Sequence, residues 1–323
     1  MTSNPTILVA GDALVDFVPN DPGSPGEAGG YRPMFGGSGS NVAMALSRLG
    51  VPPLCWTRLA TDDLGAFLRA HFEASEIPLD LLVTDEDART TLSLVTHDAD
   101  RKPSYAFYRD RGADTRLHPG TVPDDTVRAM SWVHTTGVTL SAEPSRSATL
   151  ELQSRAADAC PVSLDPNWRP EMWHSRHEFR AVVRGALPGI DLVTATPEEL
   201  SVAGFEADDH VELARSVTEA GPHTVVLTLG DEGAFCYGTD ESPVAGRADH
   251  GGYDVEPVDT TGAGDAFVAA FIAALTHRVR DPYRAVAIAN AAGAAATTWV
   301  GAVTALTGPD ALRRFNDDVP WVS

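Results

Sequence analysis

From about residue 131 onward, short apolar runs alternate with longer segments in which apolar residues recur every three or four positions. The short runs predict strands and the longer segments predict helices. Their repeated alternation is typical of a parallel sheet with helices on both faces. The predicted strands are 132–135, 161–165, 190–194, 224–229 and 234–237, and the predicted helices are 145–159, 175–186, 197–203, 208–220, 264–277, 281–299 and 309–316.

The first third of the chain begins with an apolar run, Thr6 to Ala10, that predicts a buried strand. Val15 to Val18 could continue as extended chain. Residues 19–36 are rich in glycine, proline and acidic residues, which indicates a loop or an exposed hairpin. Helical spacing returns at 40–50 and 64–74.

A different pattern lies between residues 90 and 110. Thr91 to Thr96 alternates between apolar and polar positions, as does Ser104 to Tyr108, and Asp98 to Lys102 between them is typical of a turn. This predicts a β-hairpin inside an α/β chain. We expect it to extend from the main sheet as a lid.

The chain has 323 residues and shows no internal repeat or low-complexity linker. This length suits one α/β domain, and we expect a single domain over 1–323 with a lid from about 12–35 and 90–116. No apolar run is long enough to span a bilayer, so we expect no membrane association. The start of the sequence has no basic segment or cleavage pattern, so we expect a cytoplasmic protein.

Charge excludes one class of partner. The formal net charge is −21, which repels phosphate backbones and disfavours nucleic-acid binding. Basic residues are almost all arginine, since Lys102 is the one lysine. The charge and the scarcity of lysine favour adaptation to high internal salt over an ordinary acidic surface.

The single lysine also excludes a mechanism. A Walker A loop needs Gly-Lys-Ser or Gly-Lys-Thr, whereas Lys102 lies between Arg101 and Pro103. Phosphate chemistry in this chain must therefore use backbone amides and arginine.

The strongest motif is a loop of small residues, 259–264, that leads through Asp265 into an apolar helix. The first amides of a helix lack intrahelical partners and carry the positive end of the dipole, so this end predicts an anion site. Asp265 beside it could accept a hydroxyl proton as a base. It could equally be a helix cap, and the local sequence does not decide between the two.

A second glycine cluster, Gly36 to Asn41, precedes the helix at 40–50. It lacks the third glycine of a dinucleotide fingerprint, which argues against a dinucleotide-dependent dehydrogenase. The glycines would let a small polar ligand approach the backbone, and Asn41 could contact its hydroxyl groups. A turn with Ser40 or Asn41 as the helix cap is the alternative.

Weaker candidates follow predicted strands, where ligands bind in α/β folds. They are Asp12 and Asp16 after the first strand, Arg169, Glu199, and the group Thr228, Gly230 and Gly233. Arginine suits an anionic ligand through its forked donors, although a surface salt bridge is the commoner use. Turn chemistry or helix capping would explain the others.

Together, the two glycine motifs resemble the signatures of the ribokinase-like (PfkB) carbohydrate kinase family, in the family's order. The resemblance runs from Gly11 to about Thr307. It implies a ribokinase-like α/β fold: a central, mostly parallel sheet flanked by helices, with a small β-sheet lid. It also implies a kinase that binds a small-molecule sugar, ATP and Mg²⁺, with K⁺ as a further ion to test. Lids in this family often form dimer contacts, so a homodimer through the lid is suggested by analogy.

The resemblance assigns roles to individual residues. Asp265 would be the catalytic base, with the amides of Gly262, Ala263 and Gly264 as the anion hole. The sugar site would contain Asp16, Gly36, Gly37, Asn41, Arg109 and Arg169 together with Asp265. The nucleotide site would contain Thr228, Gly230, Gly233, Gly262, Gly264 and Asn290. Glu199 would act on Mg²⁺, indirectly.

The sequence departs from the family at two places. Thr196 stands where the family's Asn-x-x-Glu motif has asparagine, which leaves the direct participation of residue 196 open. In addition, Ala60 and Thr61 precede Asp62 where a glycine is usual.

Asp16 and the stretch from Phe107 to Asp114 look most like the fructokinase branch, with Arg109 reaching from the lid over the sugar. A 2-keto-3-deoxygluconate kinase is the alternative, since Arg109 and Arg169 would suit an acid sugar. Asp16 argues against that alternative because an unpaired carboxylate beside an anionic substrate is costly. A catalytically silent sugar sensor on the same fold is the alternative from another class, and the presence of Asp265 with its glycine loop argues against it.

Overall fold

The computed structural model describes residues 6–20, 29–97, 103–302, 306 and 308–321. In this part of the chain the strands are β1 (Ile7–Ala10), β2 (Leu14–Pro19), β3 (Tyr31–Gly36), β4 (Leu54–Ala60), β5 (Leu82–Asp85), β6 (Leu92–His97), β7 (Pro103–Tyr108), β8 (Trp132–Thr136), β9 (Val162–Asp165), β10 (Leu192–Ala195), β11 (Thr224–Thr228), β12 (Ala234–Gly238) and β13 (Gly246–His250). The helices are α1 (Ser38–Arg48), α2 (Asp63–Glu73), α3 (Asp124–Ala129), α4 (Gly137–Leu140), α5 (Ser145–Ala157), α6 (Arg176–Ala186), α7 (Pro197–Val202), α8 (His210–Thr218), α9 (Ala263–Thr276) and α10 (Pro282–Thr297).

The larger sheet has nine strands in the order β13-β12-β11-β10-β9-β8-β1-β4-β5. Pairing is parallel from β5 through to β11, and β12 and β13 add antiparallel strands at one edge. The parallel sheet predicted from the alternation of strands and helices is therefore confirmed. The carboxyl ends of the parallel strands lie along one edge of the sheet, where open α/β sheets bind ligands.

Strand β1 shows why the sheet is covered on both faces. All four of its residues are buried, as in parallel strands generally. Ile7 and Val9 pack in one apolar cluster with α1, α9 and α10, whereas Leu8 and Ala10 pack in a second cluster with α5, α6 and α8. Because successive side chains of a strand point to opposite faces, one apolar run supplies two helix layers.

The core position of α9 determines where its first turn lies. From Asp265 to Leu275 every residue of this helix is buried, since α1 and α10 pack against it. A helix that is apolar on all sides needs such a position. Packing on both sides therefore fixes the N-terminus of α9 relative to the sheet.

The smaller sheet has the order β3-β2-β6-β7. β2 and β3 form one antiparallel hairpin, β6 and β7 form another, and β2 joins them through parallel pairing with β6. Its strands lie almost wholly within the two ranges predicted for the lid. The predicted turn from Asp98 to Lys102 lies outside the described residues, as do residues 21–28 in the other hairpin.

Most other predicted elements are confirmed to within three residues at either end. The helix predicted at 309–316 is present as a 3-10 helix, Pro309–Arg314. The predictions missed the strands β4, β5 and β13 and the short helices α3 and α4. Within the described ranges, no helix combines the length and the apolar content needed to cross a membrane.

Candidate active site

Asp265 lies in the first turn of α9, behind a left-handed glycine. Gly262 precedes the helix with φ 74°, a conformation that suits glycine. No side chain caps this helix end. The Asp265 carboxylate points instead to α1, where Oδ1 accepts a hydrogen bond from Ser38 Oγ at 2.7 Å and Oδ2 accepts one from Asn41 Nδ2 at 2.8 Å. The helix-cap interpretation of Asp265 is therefore wrong.

Two further residues hold Ser38. The Asp12 carboxylate at the end of β1 accepts hydrogen bonds from the Ser38 and Gly39 amides, both at 3.1 Å. Asn167, which follows β9, donates from Nδ2 to Ser38 Oγ at 2.9 Å. The ends of two sheet strands and the first turns of two helices thus meet around one carboxylate.

A cavity opens on one side of Asp265. Its empty volume is about 470 Å³, open mouth included. Polar and charged side chains make up much of its lining, and the lid strands β2 and β7 contribute Leu14, Asp16, Tyr105 and Phe107. The lining residues are Asp12, Leu14, Asp16, Gly37, Ser38, Asn41, Tyr105, Phe107, Val138, Asn167, Arg169, Met172, Thr261, Gly262 and Asp265.

A second cavity, with an empty volume of about 670 Å³, also borders Asp265. It is lined by Tyr105, Asp165, Asn167, Arg169, Thr194, Ala195, Thr196, Glu199, Thr228, Thr260, Thr261, Gly262, Gly264 and Asp265. Asp265, Gly262 and Arg169 belong to both linings. The two cavities are therefore neighbours, and Asp265 lies where they meet.

Gly36 is needed for the position of Asp16. A β-carbon at residue 36 would lie 2.2 Å from Asp16 Oδ2, closer than nonbonded atoms can approach. Gly36 itself is not among the residues that line the cavities. Its predicted part in the sugar site is thus indirect in this structure, because it makes room for the carboxylate that does line the cavity.

Burial disfavours the charged form of the carboxylates around the site. It raises the pKa of Asp265 from 3.8 to about 6, against the lowering effect of the Asn41 and Ser38 hydrogen bonds. It raises the pKa of Asp16 to about 7, with further contributions from the charges of Asp12 and Asp265. For Asp165, burial and the charge of Glu199 raise the pKa well above its usual value. A carboxyl group with a pKa near 6 suits proton exchange at neutral pH.

Glu199 lines the second cavity, and each oxygen of its carboxylate accepts a hydrogen bond from a backbone amide. Oε2 accepts from the Thr196 amide at 2.8 Å, and Oε1 accepts from the Trp168 amide at 2.9 Å. Thr196 Oγ1 in turn accepts from the Glu199 amide, which completes a capping box at the start of α7. Threonine therefore provides the helix cap at this position.

Fewer backbone amides are available at the predicted anion site of α9 than the sequence suggested. The Ala263 amide donates to the Thr260 carbonyl at 3.2 Å, so it is already bonded. Gly264 lines the second cavity, and helix geometry leaves its amide without an intrahelical partner. Gly264 thus matches the predicted role better than Ala263.

The structure does not bring Arg109 to the wall of either cavity. Its guanidinium pairs with Asp114 and donates to Ser141 Oγ at 2.6 Å and to the Val138 carbonyl at 3.1 Å. The predicted contact of Arg109 with a sugar therefore stays a prediction, and it would require these bonds to rearrange.

The predicted nucleotide residues are only partly brought together. Thr228 lines the second cavity, whereas Gly230 and Gly233 do not. Asn290 lies apart from both linings, where its Nδ2 contacts His250 Nδ1 at 3.0 Å and the His250 carbonyl at 3.2 Å.

Among the residues of the site, Ser38, Tyr105 and Asn167 were not singled out as candidates in the sequence. Asn167 has φ 46°, uncommon for a residue other than glycine, but no sequence pattern signals this. Ser38 meets Asp265 across 227 positions of sequence. Asn167 follows strand β9, and the rule that ligands bind at the carboxyl ends of parallel strands, which pointed to Asp12 after β1, could have found it.

Comparison with known proteins identifies a family. The model of the family described as "pfkB family carbohydrate kinase" matches residues 4–307. A fructokinase of Vibrio alginolyticus is 32% identical over 320 residues, which cover 96% of this chain and 98% of that one.

Solved structures agree. The fructokinase of Vibrio cholerae O395, crystallised with fructose, ADP and a calcium ion, superposes with a TM-score of 0.82 at 31% identity and covers 96% of this chain and 98% of its own. The aminoimidazole riboside kinase of Salmonella enterica, with its riboside and an ATP analogue, has a TM-score of 0.81 at 29% identity and covers 96% and 99%.

Proposed function

Because this chain belongs to the pfkB family of carbohydrate kinases, we propose that it transfers the γ-phosphoryl group of ATP to a primary hydroxyl of fructose. The relatives that bind fructose and ADP support this substrate pair. The observation that carries the proposal is the position of Asp265 between two cavities. One cavity would hold the sugar and the other the phosphates.

Asp265 would act as the general base. Its carboxylate borders both cavities, so a hydroxyl group in the first would face a phosphoryl group in the second. The base would take the hydroxyl proton as the oxygen attacks phosphorus. With a pKa raised to about 6, the carboxyl group is largely ionised at neutral pH yet basic enough to accept a proton.

The lining of the first cavity favours a neutral sugar. Asp12, Asp16 and Asp265 contribute carboxylates there, against one cation, Arg169, among the described lining residues. An anionic sugar would face this excess of negative charge at close range, which is unfavourable in a partly buried site. The same balance disfavours 2-keto-3-deoxygluconate.

Two buried amide oxygens favour a ligand rich in hydroxyl groups. Asn41 Oδ1 and Asn167 Oδ1 have no hydrogen-bond partner among the described residues, and both side chains line the first cavity. A buried acceptor without a partner is costly, so a ligand that donates to it gains affinity. Sugar hydroxyls are such donors.

Charge on the transferred group would be stabilised from two sides. Gly264, in the first turn of α9, lines the second cavity, where its amide and the helix dipole would act, and Arg169 lines both cavities. Fixed donors of this kind stabilise negative charge that develops on phosphoryl oxygens during transfer. No lysine is needed for this arrangement.

The second cavity would also hold the Mg²⁺ that accompanies ATP in a sugar kinase. Asp165 and Glu199 place carboxylates in it, and the described residues contain no cluster of three or more metal-binding side chains. Mg²⁺ is commonly held by one or two carboxylates together with substrate phosphates. When bound, it would neutralise phosphate charge. Glu199 already accepts two amide hydrogen bonds, so its contact with the ion would run through water.

A coupled assay of ADP release tests the proposal. Fructose, 2-keto-3-deoxygluconate and aminoimidazole riboside are compared side by side with ATP and Mg²⁺, in low and in high potassium chloride. We expect the highest kcat/KM with fructose. Preference for either other substrate would refute the fructose proposal, and absence of ADP release with every sugar would support a silent sensor instead.

A further inference from the structure

We propose that Ser38 is a positioning residue that fixes the Asp265 base and links it to Asn167, so that a sugar hydroxyl bound at Asn167 also orders the base. This inference rests on the proposed function. It concerns three side chains that lie far apart in the sequence and meet at the border of the two cavities.

The direction of the hydrogen bonds follows from the number of protons. Asn167 donates through Nδ2 to Ser38 Oγ, at 2.9 Å. Ser38 has a single hydroxyl proton, and the Asp265 carboxylate can only accept, so that proton lies on the bond to Asp265 Oδ1 at 2.7 Å. The chain therefore has one polarity, from the amide to the hydroxyl to the base.

The backbone of Ser38 is held as firmly as its side chain. Its amide donates to Asp12 Oδ2, and the next amide, that of Gly39, donates to Asp12 Oδ1. Asn167 is held as well, because its amide donates to Asp165 Oδ1 at 2.9 Å. Neither end of the Asn167–Ser38 bond can shift without breaking a further bond.

We call the hydrogen-bonded series Asn167–Ser38–Asp265 the relay, and its outer end is the amide group of Asn167. Asn167 Oδ1 is buried without a partner among the described residues, and the side chain lines both cavities. A hydroxyl that donates to Oδ1 would hold the amide plane and so hold Nδ2 against Ser38. Hydrogen bonds in such chains strengthen one another, so occupancy of the sugar site would tighten the bond to Asp265.

Ser38 also affects when the base is ionised. The charged or titratable groups that face the Asp265 carboxylate from neighbouring elements are Asp12, Asp16, Asp165, Arg169 and Tyr105. All of them remain when the Ser38 hydroxyl is removed. A donor to the charged form lowers the pKa of an acid, so loss of this donor raises the pKa of Asp265.

The test is the pH profile of kcat/KM for fructose in Ser38→Ala. The base must be ionised, so activity falls as the pH is lowered through its pKa. We expect this acid limb to move up by about one pH unit, and kcat at neutral pH to fall about tenfold. Ser38→Thr keeps the hydroxyl, and we expect it to keep the wild-type limb.

Ser40→Ala is the matched control, since the Ser40 hydroxyl donates to the Gly36 and Gly37 carbonyls and does not touch Asp265. It should leave the acid limb of the pH profile unchanged, even if it changes the melting temperature. Asn167→Gly, which tolerates the left-handed backbone, tests the rest of the relay. As a single substitution, Asn167→Gly should move the acid limb of the pH profile. When it is added to Ser38→Ala, it should cause no further shift.

A carboxyl titration by carbon-13 NMR reads the pKa of Asp265 without turnover. If the wild type phosphorylates no sugar but Ser38→Ala still raises this pKa, the proposed function fails and the link from Ser38 to the base stands. If the wild type is a fructokinase and Ser38→Ala leaves both the limb and the carboxyl titration unchanged, the positioning role is wrong. An additional shift from Asn167→Gly in the Ser38→Ala background would contradict the relay through Ser38.

Discussion

The Tyr105 hydroxyl on lid strand β7 lies 3.3 Å from Thr261 Oγ1 in the loop that leads into α9. Tyr105 lines both cavities, and so does Thr261. One side chain of the lid therefore meets the loop on which phosphoryl transfer would depend. Through this pair, the lid directly contacts the loop that forms the proposed anion site.

Removal of this hydroxyl should loosen the lid. In Tyr105→Phe we expect kcat/KM for fructose to fall about threefold to tenfold, since a typical hydrogen bond contributes about 0.5–1.5 kcal/mol. ATP hydrolysis relative to sugar phosphorylation should rise, because a closed lid excludes water from the site. ADP release and sugar phosphate are measured in the same reaction.

Tyr108→Phe is the control for the lid prediction. Tyr108 lies on the same strand but is 62% exposed, so its hydroxyl contributes nothing to closure. It should behave as the wild type. Equal losses in the two variants would mean that the strand, rather than the Tyr105–Thr261 contact, matters.

Thr196 tests the departure from the family's Asn-x-x-Glu motif. Thr196→Ala removes the helix cap of α7 and should destabilise the protein by about 1 kcal/mol. Thr196→Asn provides another favoured cap, so we expect it to keep the wild-type melting temperature. Because the cap then still holds Glu199, we expect it to keep about half or more of the wild-type kcat. Thermal unfolding and steady-state rates check both variants. A Thr196→Asn protein less stable than Thr196→Ala would contradict the capping role.

Stability should fall as the pH rises from about 4 to about 7. Asp16 and Asp265 have pKa values raised from 3.8 to about 7 and about 6 when folded. In this range the unfolded chain releases these protons first, so it binds fewer of them than the folded protein does. The free energy of unfolding then decreases with pH.

Asp16→Asn should reduce that loss of stability. Its melting temperature should exceed the wild-type value by roughly 2 °C or more at about pH 8 and approach it below about pH 3, where the carboxyl group is mostly protonated in both states. Glu73→Gln, an exposed carboxylate at the end of α2, is the control and should change neither value. A pH-independent difference between Asp16→Asn and the wild type would refute the explanation from burial.

Salt should stabilise the protein through screening. The net charge of −21 implies repulsion among surface carboxylates. Raising potassium chloride from about 0.1 M to about 1 M shortens the screening length about threefold, so we expect a higher melting temperature. Sodium chloride at the same ionic strength separates the two explanations. Equal effects support screening, and an effect confined to potassium would indicate a specific ion site instead.

The sequence patterns predicted the layers of the fold because the parallel strands are short apolar runs between periodic helices. They missed β13 since its residues, Gly246–His250, form a polar edge strand without an apolar face. The four-residue strand β5 was missed because so short a segment carries little periodicity. Strand β4 is the largest omission, although Leu54–Ala60 is mostly buried.

Some residues of the site could be predicted from the sequence and others could not, depending on whether they lie in one continuous motif. Asp265 and Gly264 belong to a continuous motif, so their neighbourhood could be read locally. Ser38 and Asn167 reach the site only through contacts between segments that are distant in the sequence. Arg109 was expected to point into the sugar cavity, but it forms a salt bridge with Asp114 instead. Contacts between distant segments depend on packing, which no local pattern records.

The role of Asp265 as the base is tested most directly by the turnover of Asp265→Asn, measured with saturating fructose and ATP. Asparagine keeps the size of the side chain but cannot accept the hydroxyl proton. We predict that kcat falls at least about a hundredfold, while calorimetry shows ATP binding within about twofold of the wild type. A variant that binds ATP and turns over at close to the wild-type rate would contradict the account.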